Sequence, residues 1–183
     1  MKNVKKASVF AVSLALVFSV AVSVNAKNEN SEDNPSVEKR ELAALQAEDH
    51  RNAVADVVLE LKEVAGKDEN IGEEVREVAK AQEDSSNDSA DAIEKVENRN
   101  GFVTFLFGTD YKNIGILRSE IVTTENSIDR LTKARNRATS AEVKIDLDVQ
   151  IEALQAEKAE LENFVETNED KFSILGWLVK LLN

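Results

Sequence analysis

The chain has 183 residues, 35 of them acidic and 23 basic, for a formal net charge of −12, with one histidine, one tryptophan, one proline and no cysteine. The missing thiols exclude disulfide frameworks, thiolate nucleophiles and lipid-modified cysteine, and a single imidazole leaves little for a zinc or di-iron centre. The acidic balance argues against nucleic acid, whose binding rests on lysine and arginine neutralising phosphates.

In chain order, Lys2, Lys5 and Lys6 precede an apolar run over residues 7–24 that closes on Val24-Asn25-Ala26. This is the pattern of a secretory signal peptide, residues 1–26, and it places the mature chain outside the cytoplasm, in the periplasm or at the cell surface. The competing reading is an uncleaved anchor, at the short end of what spans a bilayer. Cleavage would remove three of the 23 basic residues and no acid, moving the formal charge from −12 to −15. Residues 27–35 read as a flexible polar linker.

Asn34 before Pro35 opens a first predicted helix, with proline at its first position and Gly66 as its stop. Its apolar seam reads Ala47, His50, Val54, Val57, Leu61 and Val64. After a turn, Asn70 and Glu73 have capping-box spacing for a second helix that turns Val75, Val78, Ile93 and Val96 inward. Its middle, with Ser85, Ser86 and Ser89, is either packed closely through small residues or frayed. Together residues 36–100 form a first hairpin whose pairing sets Leu61 against Val75 and His50 against Ser86.

Residues 101–109 form an aromatic connector carrying Phe102, Phe105 and Phe107. Beyond it, Ile114, Leu117, Ile121, Thr124, Ile128 and Leu131 answer a second heptad run through Leu147, Ile151, Leu154, Lys158, Leu161, Val165 and Asn168. Sustained alternation of three and four is a coiled-coil seam, and Thr139 with Glu142 marks the turn between the two helices. Residues 110–183 are therefore a second hairpin, ending in an apolar tail with Phe172, Trp177 and Leu178. Hairpin pairing continued outward brings that tail beside the aromatic connector, as an interaction surface or a core anchor, because each alone would expose a large apolar patch. The fold class is all-α: long antiparallel hairpins with coiled-coil-like packing, as a four-helix bundle or two stacked hairpins.

The segments Asp110-Tyr111-Lys112-Asn113-Ile114-Gly115 and Leu117-Arg118-Ser119-Glu120, with the ending Phe172-Ser173-Ile174-Leu175-Gly176-Trp177-Leu178-Val179-Lys180-Leu181, resemble an uncharacterised family of secreted helical proteins from small-genome candidate-phylum bacteria. The resemblance implies secretion and an all-helical fold, and brings no activity or site residues with it.

Catalytic motifs are not found. No Ser/His/Asp or Cys/His set can be assembled, no Gly-x-Ser-x-Gly elbow occurs, and the residue three before His50 is Ala47 rather than the glutamate a di-iron bundle needs. The acidic clusters at residues 68–70 and 87–91 do not meet the calcium-loop pattern. The expectation is a non-enzyme without cofactor, metal or small-molecule substrate. Three polar residues interrupt the seams: His50, the one side chain that by nature changes charge near neutral pH, is a candidate switch, while Lys158 and Asn168 are candidate register residues. The leading functional expectation is a secreted or envelope interaction module that binds a protein partner or itself. A membrane-surface module using the connector and tail, and an extracytoplasmic helical chaperone or adaptor, are the alternatives.

Overall fold

The computed structural model describes residues 37–169, which form five α-helices and no strand. They are α1 (Val37–Lys67), α2 (Gly72–Glu97), α3 (Gly101–Phe107), α4 (Tyr111–Arg137) and α5 (Ala141–Glu169). The four long helices pack antiparallel in a closed ring, α1 on α2, α2 on α4, α4 on α5 and α5 back on α1, with α3 a short excursion between α2 and α4. This ring is a four-helix bundle, the first of the two arrangements the heptads allow. The leader and linker, the Asn34-Pro35 cap, and the tail residues Phe172, Trp177 and Leu178 lie outside the described residues.

At the end of the bundle opposite α3, the two hairpin turns are tied to each other. Asp68 Oδ2 accepts hydrogen bonds from the Thr139 backbone N–H at 2.8 Å and its hydroxyl at 2.9 Å, while Asp68 Oδ1 accepts from the Asn70 N–H at 3.0 Å. The caps therefore differ from the capping boxes expected at Asn70/Glu73 and Thr139/Glu142. Residue 71 opens α2 without a side-chain cap, Ser140 Oγ caps α5 by accepting from the Glu142 N–H, and Thr139 is spent on the inter-turn bond. The bonds from Thr139, backbone and side chain, hold the Asp68 carboxyl below its ordinary range. Its contribution to stability is accordingly present above about pH 4 and is lost as the pH falls further.

Gly66 does not stop α1, which continues to Lys67, where the ammonium pairs with Asp146 at 2.7 Å. Gly72 is the glycine that matters here. A Cβ at that position would lie 2.4 Å from the Ala65 carbonyl oxygen, so the end of α1 and the start of α2 can approach only without a side chain. Gly72→Ala is expected to cost about 1–3 kcal/mol through this overpacking, despite alanine's better helix propensity. Gly115→Ala, where the added methyl meets open space, should instead gain about 0.5–1 kcal/mol. Urea denaturation of both variants checks the opposed signs.

The core is divided into two apolar clusters. One, toward the turns, includes Val54, Leu61, Val75, Val78, Leu131, Leu147 and Leu154; the other, toward α3, includes Ala47, Ala90, Ile93, Ile114, Leu117, Leu161 and Val165. On every long helix the residues between the two clusters are polar, and they are buried: His50 on α1; Gln82, Ser86 and Ser89 on α2; Glu120, Thr124 and Ser127 on α4; Glu157 on α5. The serine-rich middle of α2 is thus closely packed through small residues, its hydroxyls donating to carbonyls of its own helix, Ser85 to Ala81 at 2.9 Å and Ser89 to Ser85 at 2.8 Å.

Candidate functional site

Two features stand apart from an ordinary bundle: the polar layer at mid-height and the α3 end. In the layer, His50 Nδ1 hydrogen-bonds the Glu157 carboxylate across the α1–α5 seam. His50 is only 5% exposed, and its bonded partner is on the second hairpin rather than at Ser86, whose hydroxyl donates to the Glu83 carbonyl instead. Gln82 Nε2 donates to Ser127 Oγ at 3.1 Å, and Thr124 Oγ1 donates weakly to Glu120 Oε1 at 3.4 Å. Within this layer three buried atoms, His50 Nε2, Gln82 Oε1 and Glu120 Oε2, have no partner among the described residues. Such groups are costly to bury, and polar layers of this kind are best known for fixing register and partner choice.

The seam of α5 is rotated from the expected one. Gln150 and Glu157 are buried, whereas Ile151 and Lys158 are only partly so. Lys158 reaches Glu162 at 3.2 Å and Glu125 at 3.9 Å, at the edge of the α4–α5 seam. Asn168 is buried at the end of α5, its side-chain amide donating to the Phe164 carbonyl at 2.9 Å.

Glu160 lies on the same seam as the His50–Glu157 pair. Burial first, then repulsion from Glu157 and Asp49, push its carboxyl up to about 7, against the opposing pull of His50. Between its ordinary value of 4.5 and about 7 the folded chain therefore holds a proton that the unfolded chain has lost. That contribution to stability is complete below about pH 4.5 and is lost as the pH rises through 7. With solvent screening allowed for, the effect is about 1–2 kcal/mol. Glu160→Gln should flatten the decline, as read from melting temperatures at pH 5 and pH 8; an unchanged slope would locate the titrating group elsewhere.

The α3 end is built differently. Asn100 caps α3, its side-chain oxygen accepting from the Phe102 N–H at 2.7 Å, and Gly108, at a φ of 82°, ends it in a conformation other residues rarely adopt. Arg99 and Asp110, the residues flanking the excursion, pair at 3.3 Å and close its base. Asp110 also caps α4, accepting from the Asn113 N–H and side-chain amide at 3.3 and 2.8 Å. Burial opposes the Asp110 charge, but the bonds from Asn113 and the Arg99 guanidinium outweigh it and hold the carboxyl below its usual range. On this stapled base α3 contributes no buried residue to either core cluster. Phe102, Phe105 and Phe107 are 52%, 50% and 61% exposed, with Val103 also exposed. Sequence reasoning located these aromatics but not the frame that displays them, which rests on Asn100, Arg99 and Asp110.

A cleft of about 370 Å³ between α1 and α2, lined by Arg51, Val58, Lys62, Glu83 and Ser86 among others, holds neither imidazole nor thiol. Among the described residues no group of three or more histidine, cysteine, aspartate or glutamate side chains is placed to hold a metal ion, and no helix is long and apolar enough to cross a membrane. Comparison with protein-family models, curated proteins and solved structures finds no match.

Proposed function

We propose that this chain is an extracytoplasmic helical interaction module, in which the bundle is a frame and α3 is the element that meets a protein partner. The observation that carries the reading is the exposure of four large apolar side chains on a seven-residue helix that is capped, terminated and stapled at its base. An apolar group without such support would collapse onto the bundle; here the backbone holds it out. Aromatic residues concentrated in an uncharged patch with a charged surround are the composition of an interaction hot spot. The extracytoplasmic placement is supported by the basic-apolar leader with its Val24-Asn25-Ala26 ending.

The test is photo-crosslinking from position 107 in cells that produce the chain, with a probe at the exposed Val122 of α4 as control. The reading expects discrete protein adducts from position 107 that the control lacks. Adducts equal at both positions, or lipid adducts alone from position 107, would overturn it, the second in favour of a membrane-surface role.

A further inference from the structure

The seam between α2 and α4 is short of hydrogen-bond donors at mid-height. Counted from the Gln82–Ser127 bond, the antiparallel register sets Ser86 opposite Thr124 and Ser89 opposite Glu120, a ladder of three polar pairs. Yet the hydroxyls donate within their own helices: Ser86 to the Glu83 carbonyl at 3.2 Å, Ser89 to the Ser85 carbonyl at 2.8 Å and Thr124 to Glu120 Oε1 at 3.4 Å. What is left over is acceptors. Gln82 Oε1 and Glu120 Oε2 receive nothing from the described residues, although Gln82 is 0% and Glu120 2% exposed. On the facing seam, a His50 ring that donates its one proton from Nδ1 to Glu157 presents Nε2 as a third acceptor. We infer that the layer is a binding site for internal water, which donates to Gln82 Oε1 at one end of the ladder and to Glu120 Oε2 at the other.

Chemistry, separation and space agree on this ligand. An amide oxygen and a carboxylate oxygen both call for a donor, and leaving either bare in the interior is costly. A metal ion would need several ligands in one place, and the described residues hold no such group of histidine, cysteine, aspartate or glutamate. Gln82 and Ser89 are seven residues apart, as are Ser127 and Glu120, so the two acceptors are separated by about 10 Å at about 1.5 Å per residue. One molecule cannot serve both. Small side chains supply the space: Ser86, Ser89 and Ala90 on α2 and Ala47 on α1 are buried here, between Leu131 and Leu154 toward the turns and Leu117 and Leu161 toward α3. The leucines set the helix spacing, and a water, at about 30 Å³, takes less than the volume by which a leucine side chain exceeds a serine. Waters in such positions commonly make about three hydrogen bonds to groups that would otherwise go unpaired.

Oxygen-17 relaxation dispersion of the solvent tests this, because it counts waters held longer than the protein tumbles and is blind to exchanging hydroxyl protons. The purified parent protein is expected to hold about two such waters at this seam, and the double variant Gln82→Met, Glu120→Met, a near-isosteric change that removes both acceptors, is expected to lose about two. A parent without long-lived water would overturn the inference. So would an unchanged count in a double variant whose far-ultraviolet dichroism shows an intact bundle. A crystal structure of the parent gives a second reading that needs no variant: solvent density within hydrogen-bond distance of Gln82 Oε1 and of Glu120 Oε2 is expected, and protein donors bonded to both atoms instead would contradict it. Crosslinking from position 107 does not depend on either result, so the hydrated layer and the interaction reading can fail separately.

Discussion

Glu157→Ala is expected to destabilise the bundle by about 1–3 kcal/mol, because it leaves the His50 ring buried across the α1–α5 seam without its hydrogen-bond partner. The pair itself is not expected to be worth that much. Desolvating an imidazole and a carboxylate offsets most of their attraction, so His50→Leu combined with Glu157→Leu should be neutral or stabilising by up to about 4 kcal/mol. Lys158→Ala, one residue away at a solvated edge, should cost no more than about 1 kcal/mol. Guanidinium denaturation of the three variants reads all of this at once. Equal losses at positions 157 and 158 would mean that α5 turns a different face to the core.

Leu154→Ala is expected to cost about 2–5 kcal/mol, since Leu154 is fully buried in the cluster on the turn side of the polar layer and its removal leaves a cavity. Ile151→Ala removes an equally large side chain from a partly exposed position, so its loss should be clearly smaller. A larger loss at 151 than at 154 would contradict the packing.

These pairs show where sequence was legible. Spacings of three and four gave the four long helices and their antiparallel pairing, because apolar seams repeat where helices face one another, and Leu117, Leu131, Leu147, Leu154 and Leu161 are buried as the heptads require. The choice between positions 150 and 151, or 157 and 158, was not legible from apolarity. A helix in a closed ring meets two neighbours, so α5 has two adjacent seams: Lys158, seven residues beyond Ile151, reaches toward α4, whereas Glu157 meets α1. The equally regular spacing of Leu147, Gln150, Leu154, Glu157 and Leu161 held the signal, and His50 on the facing seam supplied a reason to look for an acid. Likewise the connector of consecutive apolar residues has no period that could distinguish a core anchor from a displayed helix. What decides it is local capping at Asn100, Gly108 and Asp110 together with the Arg99 staple.

The layer sits between apolar clusters, so a slip of either hairpin would strand several polar groups against leucines.

Amide hydrogen exchange on the purified protein tests the central claim, that α3 is held outside the core, most directly. The account predicts that the α3 amides open locally and exchange far faster than those of Leu117, Leu131 and Leu154, which should exchange only through global unfolding. Exchange of α3 as slow as that of these leucines would contradict it, because α3 would then belong to the cooperative core.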